Sequence, residues 1–258
     1  MEDNVQNTLK ARIVAGKVSY GVSVMIPSPQ AVEMVAGLGF DFCLIDCEHG
    51  TIGVESMEAM VMAAEQGGIA PIVRPPTNAS EEISRAMDRG AYGVQVPHVR
   101  CAAEARRAVQ AVKFGPLGTR SLAVGTRPSR YGYALTRAEY VTETNRETLV
   151  CVQLEDVEAI ERADEILAVE GVDVFFIGPS DLSQSMGYAS QPDAPAVREA
   201  IEGTFAKIRA AGKVSGSAGS LGALLSYRQQ GALYLYTHLT RLLSDGAASF
   251  FASVHRDR

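Results

Sequence analysis

An α/β fold of the (β/α)8 TIM barrel class is what this chain predicts, and three observations carry the prediction. Short β-rich runs alternate with helical stretches from one end to the other, eight such runs can be counted, and the length is 258 residues. A barrel of this kind typically needs roughly 250. Alternation argues for parallel strands joined by helices instead of hairpins. The runs are residues 18–26, 42–47, 69–74, 93–98, 149–155, 172–178, 213–216 and 233–236.

After the first run, the second is apolar until it reaches Asp46, with Glu48 and His49 close behind. Residues 54–66 have helical spacing, and Gly67 sits just past them, where a left-handed residue is needed. The third run closes on Arg74, which Pro75 keeps extended by disfavouring helix there. A helical stretch over 81–89 stops at Gly90, and the fourth run ends in His98 before a helix over 102–113. The connection 115–146 is too long for an ordinary loop and carries Arg120, Arg127, Arg130, Tyr131 and Tyr133. Connections of that length are usually functional or disordered. The fifth run closes on Gln153 and Glu155, ahead of a helix over 157–169. The sixth leads into Gly178-Pro179-Ser180-Asp181-Leu182-Ser183. Helices over 196–211 and 220–230, closed by Gly212 and Gly231, flank the seventh run and precede the eighth. The tail 240–252 is apolar on more than one side through Leu242, Leu243, Phe250 and Phe251, so it is expected to dock on the barrel or on a neighbouring subunit. With no linker and no repeat, the expectation is one domain over 1–258 with a helical tail from about residue 240.

Composition narrows the function. The chain is 47% hydrophobic and 21% charged, with a net charge of −6 that offers no basic stripe to nucleic acid. No apolar run is long enough to cross a bilayer. The acidic, polar start is unlike a signal peptide and predicts a cytoplasmic protein. Cys43, Cys47, Cys101 and Cys151 lack the close pairs of a zinc site and read as small buried residues in a reducing compartment. Small molecules and copies of the chain are the expected partners.

Barrel geometry brings residues that close the runs to one mouth: Asp46, Glu48, His49, Arg74, His98, Gln153, Glu155 and Asp181. Two carboxylates, Glu155 and Asp181, without a His or Cys cluster favour Mg2+ or Mn2+ and leave positions open for a 2-oxo acid. Such a cation would draw charge from the keto oxygen and favour an enolate. Arg74 could steady that oxygen, or simply pair with an acid. His49 is the acid/base candidate by its titration range. Asp88 closes a helix where a carboxylate is unfavourable unless paired, and His49 would be such a partner. Ser180 and Asp181 could be ordinary helix caps or could offer free N–H groups to a substrate carboxylate.

Together Gly39 to His49, Pro71 to Pro75, Gly90 to Pro97, Val152 to Glu155 and Val169 to Ser183 resemble the HpcH/HpaI family of class II pyruvate aldolases, among the phosphoenolpyruvate/pyruvate barrels. The resemblance spans about residues 15 to 245. It implies reversible cleavage of a 4-hydroxy-2-oxo acid to pyruvate and an aldehyde. It implies a divalent cation (Mg2+ or Mn2+, with Co2+ also possible) held by Glu155 and Asp181, Arg74 on the ketone oxygen, and His49 with Asp88 handling a proton. Gln153 would position substrate, and the backbone at Ser180 and Asp181 would receive its carboxylate. Hexamers, as trimers of dimers that exchange C-terminal helices, are implied as well. The segment 127–131 resembles the family's arginine and aromatic loop, expected to meet the aldehyde half. Tyr236-Thr237-His238 departs from a glycine and aspartate pattern, and His98 from a methionine. Two other readings use the same residues: a citrate-synthase-like or other enzyme condensing 2-oxo acids, and a subunit that binds a 2-oxo acid without turnover.

Overall fold

In a computed structural model, which describes residues 7–189 and 191–254, eight strands close into a barrel in sequence order. They are β1 (Ser19–Val24), β2 (Phe42–Asp46), β3 (Ala70–Arg74), β4 (Gly93–Val96), β5 (Leu149–Leu154), β6 (Val174–Ile177), β7 (Ser215–Ala218) and β8 (Tyr234–His238). Every neighbouring pair is parallel, and β8 closes on β1 with Ser19 opposite Tyr234. The helices are α1 (Thr8–Val14), α2 (Pro29–Gly37), α3 (Val54–Gln66), α4 (Ser80–Asp88), α5 (Ala102–Val112), α6 (Arg137–Glu147), α7 (Val157–Glu161), α8 (Ala163–Leu167), α9 (Pro179–Ser185), α10 (Pro195–Ala210), α11 (Leu221–Gln229) and α12 (Leu239–Ser253).

Alternation along each strand sorts its side chains into two cores. Cys43, Ile45, Val73, Val94, Val150, Val152, Phe175 and Ile177 face the helices. Phe42, Leu44, Ile72, Leu149, Cys151, Phe176, Tyr234 and Tyr236 fill the barrel, with Phe42 stacked on Tyr234 at 4.4 Å. Gly21 makes room for this filling, because a Cβ there would lie 2.4 Å from the Phe42 ring. α1 closes the N-terminal mouth: Leu9 and Ile13, one turn apart, are buried in the interior cluster.

The long connection is more ordered than its length suggests. A short 3-10 turn spans Arg127–Gly132, and α6 follows, opened by a capping box in which Thr136 and Glu139 satisfy each other's backbone N–H groups. The buried Lys113 ammonium donates at 2.8 Å to Asn145 O, Thr148 O and Thr148 Oγ1, tying the end of α6 to the barrel. The expected helix over 157–169 is two short helices, broken at Arg162. Gly90, Gly212 and Gly231 take positive φ as expected, whereas beyond α3 the left-handed residue is Gly68 and not Gly67. All four thiols are free, with Cys43 and Cys151 buried and Cys47 and Cys101 partly so. Among the described residues no helix is long and apolar enough to cross a membrane. α12 buries none of its residues, and Leu243, Phe250 and Val254 are exposed.

Candidate active site

At the C-terminal mouth the inward positions change from apolar to polar. Climbing β2, the interior side chains are Phe42, Leu44 and Asp46; climbing β3, Ala70, Ile72 and Arg74; climbing β5, Leu149, Cys151 and Gln153, with Glu155 one step beyond. Seven of the rim residues, Asp46, Glu48, Arg74, Gln153, Glu155, His98 and Asp181, gather there; His49 borders them, and its side chain is half exposed.

Arg74 is buried and held in a bidentate grip by Asp46, Nε to Oδ1 at 2.9 Å and Nη2 to Oδ2 at 2.5 Å. Asp46 Oδ1 also accepts the Glu48 and His49 N–H groups at 3.1 and 3.2 Å, so one carboxylate sets both the guanidinium and the turn that carries His49. Burial works to raise the Asp46 pKa, but the bonds and charge of Arg74 hold it below the ordinary value. Glu48 lies 3.2 Å from Arg74 Nη1 and 3.7 Å from His49 Nε2. Burial raises its pKa despite the opposing charge of Arg74.

Glu155 is only 1% exposed. Its Oε1 accepts the His98 N–H at 2.9 Å, and its Oε2 accepts from Gln153 Nε2. Burial first, and then the charge of Asp181, push the Glu155 pKa up to about 7, against the opposing pull of His98 and Gln153. Gly178 is what allows the carboxylate to sit here, since a Cβ would stand 2.7 Å from Oε2. Asp181, in the first turn of α9, faces the same mouth from the end of β6. Ser180 is exposed in that turn, and its carbonyl accepts from Ser183 Oγ at 2.7 Å. A buried, proton-hungry carboxylate beside a second acid is a donor pair that a hard cation would relieve. Among the described residues no group of three or more His, Cys, Asp and Glu side chains is placed to hold a metal ion.

Two expectations are corrected within one chain. α4 runs from the C-terminal mouth back to the N-terminal one, so Asp88, at its last residue, lies at the opposite end of the barrel from His49. There it bonds Arg120 Nη2 at 2.6 Å. His49 has Glu48 as its acidic neighbour instead. The arginine loop is held at the same far end, through Arg120 on Asp88 and Arg127 on Glu65, the latter near the end of α3. It therefore does not cover its own chain's rim. A cavity of about 440 Å³ lies between this loop and the barrel base, lined by Tyr92, Arg120, Arg127, Tyr131 and Tyr140.

A sequence profile described as HpcH/HpaI aldolase/citrate lyase matches residues 20–232. The chain belongs to this family. A 4-hydroxy-2-oxo-heptane-1,7-dioate aldolase of Salmonella arizonae is 38% identical over 250 residues, covering 96% of this chain and 94% of that protein. Among solved structures, an HpcH/HpaI aldolase from Desulfitobacterium hafniense DCB-2 superposes with a TM-score of 0.89 at 29% identity, covering 97% of both chains. The citrate synthase SbnG superposes with a TM-score of 0.82 at 29% identity, covering 95% of this chain and 98% of its own. Family membership makes this HpcH/HpaI chain a class II aldolase, a carbon–carbon lyase.

Several residues of the HpcH/HpaI site carry no role in the sequence reading. His98 has a positive φ of 51° that brings its ring among acids, 3.2 Å from Asp156 and 3.5 Å from both Glu155 and Glu48. Burial opposes its charge, but Glu155, Asp156 and Glu48 raise its pKa. Gln95 bonds Gln153 and Tyr236, and His238 stands edge-on to Tyr236 at 5.8 Å. The one available signal was period: Gln95, Tyr236 and His238 all occupy inward positions of their strands.

Proposed function

We propose that the chain cleaves a 4-hydroxy-2-oxo acid, reversibly, to pyruvate and an aldehyde, with a divalent cation at Glu155 and Asp181. The observation that carries this reading is the buried Glu155 carboxylate set beside Asp181 at the mouth that also holds Arg74. Mg2+ or Mn2+ suits such oxygen donors, Co2+ is also compatible, and the ion would supply Lewis-acid polarisation of a keto oxygen. Arg74, locked by Asp46, presents a fixed cation for the developing oxyanion. Gln153 holds Glu155 and helps position substrate, while the first-turn backbone of α9 around Ser180 and Asp181 receives the substrate carboxylate. His49 gives and takes the proton. Because Asp88 is at the other end of its own barrel, its pairing with His49 requires a second copy of the chain. A homo-oligomer, a hexamer built as a trimer of dimers, is part of the reading, and the unburied α12 supports a swapped or docked tail. The free thiols fit a reducing, cytoplasmic setting.

The name of the Salmonella relative makes 4-hydroxy-2-oxo-heptane-1,7-dioate the first substrate to try. Purified protein should release pyruvate from it with Mn2+ and not after chelation, and Glu155→Gln should abolish the release. Pyruvate release that survives both treatments would overturn the metal assignment. The likeness to SbnG favours the condensing reading as the second. Formation of a tricarboxylate from a 2-oxo acid and a thioester donor, without cleavage of the heptanedioate, would establish it instead.

A further inference from the structure

We propose that Gln95 is a positioning residue for the cation site, acting through Gln153 to fix how Glu155 presents its carboxylate. The inference rests on the reading of Glu155 as a metal ligand. Gln95, Gln153 and Glu155 form one continuous buried chain of side chains across β4 and β5. Gln95 Nε2 donates to Gln153 Oε1 at 2.6 Å and to Tyr236 Oη at 3.1 Å, and Gln153 Nε2 donates to Glu155 Oε2.

The direction of this chain is dictated by the carboxylate. An ionised Glu155 only accepts, so Gln153 must turn its NH2 toward it and its oxygen away. That oxygen meets Gln95, which must then present its own NH2. With the Gln95 NH2 engaged by Tyr236 Oη as well, a reversed Gln153 would set two NH2 groups against each other, so Gln95 disfavours the Gln153 orientation in which oxygen, and not nitrogen, faces Glu155. Gln95 accepts a cost for this arrangement: its Oε1 is buried with no hydrogen-bond partner. Gly178 closes the remaining side, because a Cβ would lie 2.7 Å from Glu155 Oε2 and 3.2 Å from Gln153 Nε2. With Oε2 taken by Gln153 and Oε1 held by the His98 N–H, the carboxylate has one orientation in which to meet an ion. Outer-shell partners of this type commonly change metal affinity by about 10- to 100-fold.

The test is calorimetric titration of the metal-free protein with Mn2+, alongside thermal melting. Gln95→Met, of similar volume, should weaken Mn2+ binding at least tenfold in protein whose melting curve shows that it still folds cooperatively. Combined with Gln153→Met, it should weaken binding no further than Gln153→Met does alone, because it acts through that residue. Additive losses would overturn the proposal, as would wild-type affinity in folded Gln95→Met. Gln95→Leu, which likewise has no donor, is the second variant should the first not fold. It should show the same loss, and wild-type affinity in it would overturn the proposal equally. Glu155→Gln separates the two levels: if it binds Mn2+ normally the metal reading itself fails, whereas its loss beside a normal Gln95→Met removes the positioning role alone.

Discussion

If Glu155 holds the proposed cation, its binding is tied to pH. Its pKa is pushed up from 4.5 to about 7, so between those values the folded, metal-free chain binds a proton that the unfolded chain has released. The sign follows: this group lowers the stability of the metal-free protein as pH rises across that window, and a cation must displace the proton to bind. Mn2+ affinity should therefore climb from pH 6 to pH 8, with protons released on binding at the lower pH, and titration in buffers of different ionisation heat would detect them. An affinity that is flat across the range would contradict the shift. Arg74→Ala should lower turnover by more than tenfold, since one oxyanion contact contributes about 2.7 to 4 kcal/mol. Steady-state rates near wild type would remove that role. Arg74, Gln153, Glu155 and Asp181 were legible in the sequence because a polar residue ending or just following an apolar run must sit at a rim. Gln95 was not, because one amide inside a short run reads as a tolerated interruption until the strand facing it supplies Tyr236. The role of Asp46 was equally hidden: only the register of β2 against β3 sets it opposite Arg74.

At the scale of elements, helix ends decide where functional side chains go. α4 delivers Asp88 to the wrong end for its own His49, a consequence of helix direction that a list of candidate residues does not carry. The eight strands were readable from their apolar runs, although β7 and β8 extend two residues past the expected ends. α6 was missed because its surface is polar, and the Thr136 to Glu139 box was the overlooked mark of its start. Thr136→Ala should cost about 1 kcal/mol, read as a fall in the denaturant midpoint. Lys113→Met should cost roughly 1–3 kcal/mol, because it leaves the Asn145 carbonyl without its donor, whereas Thr148 O keeps Lys10 Nζ at 2.9 Å. A midpoint unchanged in either variant would show that α6 is not held as described.

The whole molecule gives the His49 and Asp88 assignment a test of its own. His49→Ala and Asp88→Ala should each depress turnover, and refolding the two together should restore part of it, because a mixed pair of chains has one site with both groups intact. No recovery in mixtures shown to exchange subunits would sink the pairing between copies. Removing residues 239–258 should reduce the oligomer, as measured by light scattering, if α12 covers a neighbour. The barrel was foreseen from its alternation of elements. Its stopper was not, since α1 precedes the first strand and only two of its residues, Leu9 and Ile13, are buried, too few to show a pattern.

That stopper governs traffic. With the aromatic filling of the barrel sealed at its base by Leu9 and Ile13, nothing passes through the cylinder, and whatever enters by the upper opening must leave by it. In the proposed cleavage the fragment lodged deepest, against Glu155 and Arg74, would then be the last to depart, with the outer fragment going first. Product inhibition should betray this queue: the keto acid should compete with the intact substrate, while the aldehyde should inhibit noncompetitively.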